Sequence, residues 1–390
     1  MNVFDNHYHT YRTVLKIVGL WPYDNSIYVW IQRICLLIFF LIIILFQIIV
    51  LVKSEISLKN FIVTLSMTCP VLLYFLRYLH FITIFSFVEL LFDKLLTEEH
   101  LLQDSIEIQI QTKYLDISSH IIDIFCWMSF FGIAAVIIFL LNPVTLDIIM
   151  PLNESRTHFN VLFLFDDQSP CIKIFLILNF MLIMLFGLLS LIGTESLTNI
   201  FSYYICRKFY IASYRIRKII EDLGIITMPK QIDLKLTDIH RVVDIHNQAI
   251  ELINMGTNAT ATQYLTAVII CILSFSVNLY RLYNAITTMD DRIEIFGSAF
   301  IVVYHLMVAF YNNHYGQLII DSSLGIFNEL HSSTWYRIPL KAQKLLLFMI
   351  VRSSMGCELC LSGLFTPSYA GFMSMISSSF SYCAVIYSLQ

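Results

Sequence analysis

Seven times along this chain a run of about twenty mostly apolar residues appears, near 34–52, 61–80, 121–141, 174–196, 263–280, 295–313 and 367–388. A run of that length crosses the hydrocarbon core of a bilayer as a helix. Lipid offers the backbone no hydrogen-bond partners, so only helices or a closed barrel can span it. These runs are too long for barrel strands and do not alternate. The sequence therefore predicts an all-α integral membrane protein with seven transmembrane helices. Composition agrees: 13% of residues are charged, against about 25% in a soluble domain, and the mean hydropathy is +0.74. Such values exclude a disordered chain, a nucleic-acid binder and an ordinary soluble enzyme. The net charge of −4 offers no basic surface for phosphates.

The seven runs read as a single membrane domain over residues 1–390. A shorter apolar stretch, 343–355 within a helix expected over 341–355, precedes the last run. Gly356, Gly363 and Pro367 interrupt the helical pattern between them. The last helix is thus expected in two pieces, only the second spanning. The first 26 residues hold no apolar core of a signal peptide, so cleavage is not expected and the first span serves as its own insertion signal.

Lysine and arginine counts orient the chain. With the N-terminus inside, sixteen basic residues fall on the cytoplasmic side and six outside. Half of the inner set lies in one linker, 197–257: Arg207, Lys208, Arg215, Arg217, Lys218, Lys230, Lys235 and Arg241. Arg281 counts among the outer six. The C-terminus is then extracellular. The sequon at Asn153 lies in an outer loop, where glycosylation is possible, whereas Asn258 lies at an inner mouth and is expected to be unmodified. In the linker, Phe201, Tyr204, Ile205, Phe209, Ile216 and Ile220 recur at helical spacing, as do Ile239, Val243 and Ile250. Helices continuing into the cytoplasm fit this pattern; an amphipathic helix lying on the membrane surface is the competing reading.

Chemistry of other kinds is sparse. No hydrolase, zincin, Walker or dinucleotide motif occurs. Cys357 and Cys360 have redox or metal spacing but no second pair, and most cysteines sit in apolar runs as small hydrophobes. No enzyme, metal or cofactor is expected.

Several short patterns then point one way. Gly19-Leu20-Trp21-Pro22 precedes the first span, and Phe165-Asp166-Asp167-Gln168-Ser169-Pro170 ends the third linker. Glu329-Leu330-His331-Ser332-Ser333-Thr334-Trp335-Tyr336 follows the sixth span, ahead of Lys341 to Lys344 and the run Leu345 to Arg352. Ser379-Phe380-Ser381-Tyr382 lies close to the end. In this order, over essentially the whole chain, they make it resemble an insect odorant receptor of the ligand-tuning type. The resemblance implies the odorant-binding subunit of a ligand-gated, non-selective cation channel in the plasma membrane of an olfactory dendrite. It implies a heterotetramer with the odorant receptor co-receptor, a small volatile odorant, and a pore formed by the last helix of each subunit. The 197–257 linker is shorter than that of the co-receptor itself.

The last run fits a pore lining on its own terms. Ser374, Ser378, Ser381, Val385 and Ser388 recur every three or four residues. That small, mostly polar seam interrupts a segment of Phe, Met, Ile and Tyr. About a symmetry axis it would line a water path, narrowed near its outer end by Val385 and Leu389; close helix packing is the alternative. By the resemblance, Val385, Ser388 and Leu389 match the gate region, although Tyr387 is bulkier and Ser388 shorter than in the co-receptor. No ring of Asp or Glu lies near the seam, so strong cation selectivity is not expected.

For the ligand, Val71, Tyr74 and Phe75 share one face of the second span, and Ser129, Gly132 and Val136 one face of the third. Both trios fall at mid-depth and match the family's odorant site. Phe180, Met181 and Met184 on the fourth span, and Tyr304, His305 and Met307 on the sixth, join them by depth. Together they would enclose an aromatic cavity with a few hydroxyls and no fixed charge, suited to small apolar molecules. His305 either meets a ligand oxygen or is satisfied by Tyr304 or a neighbouring helix. Arg77 is expected to snorkel to the inner interface, and His240 and His246 to be structural. A metabotropic seven-helix chemoreceptor, a taste-type receptor channel and a transporter are the competing readings; the transporter lacks paired broken helices.

Overall fold

The computed structural model describes residues 6–53, 58–97, 104–149, 170–225, 228–288 and 292–388. Ten α-helices are described: α1 His9–Ile17, α2 Ile27–Lys53, α3 Leu58–Thr83, α4 Phe85–Thr97, α5 Ser105–Ile149, α6 Pro170–Ile225, α7 Pro229–Thr288, α8 Arg292–Ser332, α9 Leu340–Ser354 and α10 Tyr369–Ser388. Seven of them, α2, α3, α5, α6, α7, α8 and α10, are long and apolar enough to cross a membrane. The last unit is split, with α9 and α10 separated by 355–368.

The helices pack around α6, which meets α1, α3, α5, α7 and α8. Its most apolar window is 72% buried, against 17% for α2, α8 and α10. Sequence explains the choice of axis. Small residues let neighbours close on α6: Leu15 of α1 packs on Gly193, and the Tyr74 ring of α3 lies flat enough on Gly187 that any Cβ there would overlap it.

The Gly19-Leu20-Trp21-Pro22 pattern is the hinge that folds α1 back onto the bundle. Gly19 has φ +71°, which glycine adopts without strain. Its carbonyl accepts from Arg33 Nε at 2.6 Å, and the Val18 carbonyl accepts from the Tyr78 hydroxyl at 2.9 Å. Leu20 and Trp21 are buried, as are Tyr11, Val14 and Leu15 of α1.

Helices α6, α7 and α8 run far beyond the length a bilayer requires. Their extensions are laced by ion pairs between helices. Arg215 grips Glu107 of α5 in a two-pronged contact at 2.6 and 2.8 Å. Lys218 and the Tyr214 hydroxyl both donate to Asp104, and the lysine, chiefly, holds that carboxyl down to about 2. Arg217 pairs with Glu329 of α8 at 2.7 Å.

Two charges sit elsewhere than the sequence suggested. Arg281 is not a loop cation: it lies in α7 and is buried, donating to Ser66 of α3 at 2.7 Å, and Ser66 donates to Asn278 at 2.7 Å. Arg77 does not snorkel. Helix α3 continues to Thr83, so Arg77 sits more than a turn from its end, and its Nη2 lies 3.0 Å from Oε1 of the wholly buried Glu195.

Candidate functional site

Helices α3, α5, α6 and α8 bring part of the two trios together. Tyr74 is buried against Gly187 of α6. Tyr304 of α8 packs against the same cluster, and its hydroxyl lies beside Ser129 of α5. One turn from Ser129, Gly132 faces Phe300, where an added Cβ would sit 3.7 Å from the ring. Val71, Tyr74, Phe75, Met184 and Tyr304 join the same apolar cluster. Phe180 is buried and Met181 half-buried. Met307 is half-buried on α8. Val136 lies on α5, and its side chain falls outside the described residues.

His305 belongs to a neighbouring seam. Its Nε2 lies 2.9 Å from Ser274 Oγ of α7, and its Nδ1 2.9 Å from the Ile301 carbonyl. Both ring nitrogens are thus engaged by protein, and the ring serves the α7–α8 contact. The ring's partner on a neighbouring helix is Ser274 rather than Tyr304.

Below the cluster runs a polar column that sequence reasoning missed. Glu195 lies eight residues past Gly187, about 12 Å along α6. Arg77 pairs with it and stacks its guanidinium 5.6 Å from the Tyr264 ring centre. One turn further, Asn199 joins three helices: it accepts from Ser118 of α5 and donates to Tyr315 of α8 at 2.7 Å. Ser118 accepts from Tyr8 at 3.0 Å. The available signal was the run Thr194-Glu195-Ser196 followed by Asn199, polar residues one turn apart in an apolar span, and a charge there commonly has a partner.

The column reaches the last helix through α8. Asn313 donates to the Met375 sulfur at 3.6 Å and accepts from the Ser368 amide at 3.2 Å. Gly316 abuts the Pro367 carbonyl so closely that a Cβ would collide with it. The turn before it is fixed by Gly363 at φ +70° and by the Leu361 amide donating to the Phe365 carbonyl at 2.8 Å.

On α10, Ser379 and Met375 face the bundle and are buried; Ser379 donates to its own helix at 2.8 Å. The seam faces the other way. Ser374, Ser381, Val385 and Ser388 are exposed and Ser378 half-buried. Ser381 and Ser388 donate to backbone carbonyls one turn back, at 3.0 and 2.8 Å. Leu389 and Asn153 lie outside the described residues, as does most of the Phe165–Pro170 pattern. Among the described residues no group of three metal-binding side chains occurs. Cys357 is buried, its amide donating to Ser323, and Cys360 is exposed.

Known proteins give this architecture a context. The fold is similar to that of the insect olfactory receptor OR5 from Machilis hrabei in complex with eugenol, with a TM-score of 0.79 at 14% identity over 98% of this chain and 97% of that one. A second structure of that receptor gives 0.77 at 14% identity over 98% of each chain. No curated protein sequence matches the chain. The family model described as 7tm Odorant receptor matches residues 55–380. With most of its length inside that match, the chain belongs to the 7tm odorant receptor family.

Proposed function

We propose that this odorant receptor is the ligand-tuning subunit of a ligand-gated, non-selective cation channel. It assembles with the odorant receptor co-receptor in the plasma membrane, N-terminus inside and C-terminus outside. A small volatile molecule binds among α3, α5, α6 and α8 and favours the arrangement in which the last helices stand apart. A ligand can do this only by binding the open state more tightly. The observation that carries the reading is the seam on α10. Four of its residues, three of them serines, point away from their own bundle at an apolar span. Exposed hydroxyls on a spanning helix suit water or a neighbouring subunit better than lipid. The excess of basic residues, sixteen inside against five outside once the buried Arg281 is set aside, supports the orientation.

The test is whole-cell current under a volatile panel, with G-protein signalling blocked, in cells expressing this chain, the co-receptor, or both. Odour-evoked cation current in the co-expressing cells alone is the expected result. Responses that vanish with the block would replace the channel reading by a metabotropic one. Tags at each terminus test orientation: on intact cells the N-terminal tag is hidden and the C-terminal tag accessible.

A further inference from the structure

We infer that the volatile this chain prefers is a neutral molecule carrying a hydrogen-bond-accepting oxygen, such as a ketone, ester or ether, rather than a hydrocarbon or an acid. The inference rests on the odorant reading above and names the ligand class for the same site.

It starts from two buried hydroxyls. Ser129 Oγ and Tyr304 Oη are shut away from solvent, and neither makes a hydrogen bond of good geometry with protein. Ser196 and Ser202 of α6 also lack a partner, whereas Ser190 donates to the Phe186 carbonyl and Ser276 to that of Ile272, one turn back. Ser129 makes no such bond. The two hydroxyls lie beside each other. A rotation that bonded them together would use one hydrogen and leave the other unspent, because each hydroxyl brings one donor. A buried donor without an acceptor is costly. The site therefore holds one O–H waiting for an acceptor.

Space for that acceptor lies next to the donors. Gly132 is one turn from Ser129 and has only the tip of the Phe300 ring within 4 Å of an added Cβ. The remaining walls are apolar or aromatic: Val71, Tyr74 and Phe75. An acid is disfavoured by charge. Arg77 of α3 already faces Glu195, whose own carboxylate lies close enough to act on Tyr304. A carboxylate ligand would enter an apolar wall with no free cation to meet it.

The measurement uses cells expressing this chain with the co-receptor. Matched volatiles differ only in the oxygen: 2-octanone against 2-methyl-1-octene, with further ketones, esters and ethers each paired with the methylene counterpart. The oxygenated member is expected to act at about tenfold lower concentration, the usual penalty when a polar site goes unpaired. Tyr304→Phe with Ser129→Ala should erase the difference by weakening the ketone and leaving the alkene unchanged or improved. A merely structural defect would shift both alike. Equal potency within pairs, or a difference that survives the double variant, overturns the inference while leaving the odorant reading intact. Silence to every pair would count against the odorant reading itself, and this inference with it.

Discussion

Helices α6 and α10 both cross the apolar layer, and both carry small polar residues at nearly every turn, yet they use them in opposite ways. On α6, Ser190, Thr194, Glu195, Ser196, Asn199 and Ser202 are all buried. Ser190 and Thr194 bond their own backbone, and Glu195 and Asn199 meet other helices through Arg77, Ser118 and Tyr315. On α10, Ser374, Ser381 and Ser388 look outward. Polar content therefore says little about a membrane helix until its direction is known. Turned inward, it can lock one fold together; turned outward, as at Ser381 and Ser388, it bonds its own backbone and leaves an exposed oxygen. The first use is measured by stability of the folded subunit, the second by what the assembled protein does.

That contrast yields four predictions on one scale, thermal stability of the purified subunit. Glu195→Leu should be the most damaging, by about 3–5 kcal/mol, because it leaves Arg77 unpaired in the interior. Adding Arg77→Met should recover most of the loss; a double variant as unstable as the single would show that the ion pair is not the cause. Asn199→Leu strips Ser118 and Tyr315 of a shared partner at once, and about 2–3 kcal/mol should go with it. Gly187→Val forces the Tyr74 ring off α6, at about 1–3 kcal/mol of overpacking. Its second signature is a changed ranking of volatiles, because Tyr74 borders the proposed site. Ser381→Ala on α10 should move stability by less than about 0.5 kcal/mol while altering single-channel conductance. A large loss of stability there, with conductance unchanged, would erase the distinction between the two helices.

The sequence made some of this legible and not the rest, for physical reasons. Seven apolar runs announce spans because length and hydropathy are local quantities, and the split at Gly363 and Pro367 is local too. Tyr74 and Ser129 could each be assigned to a helix face at a definable depth, which is again local information. The Arg77–Glu195 pair could not. Its halves lie on α3 and α6, and periodicity assigns a residue to a face without saying which helix that face meets. Reading Arg77 as snorkelling followed from placing the end of the span at residue 80, whereas α3 continues past it. His305 shows the same limit in milder form: an ionisable group in a span was visible, and its partner Ser274 was not. Gly187 was passed over for a related reason, since a glycine in an apolar run reads as ordinary until the aromatic ring lying on it is seen.

The docking of α1 sets a timetable for biosynthesis. Leu15 rests on Gly193, and Tyr8 reaches Asn199 only through Ser118. The surfaces that bury the start of the chain are thus translated long after it. At about 5–20 residues per second, Leu15 is made about 10–40 s before Gly193 can receive it. During that interval α1 has earlier-made partners such as Phe92 of α4, which meets Tyr11 edge-on, and the first span is already being inserted. The docking of α1 is therefore completed only when α6 has been made.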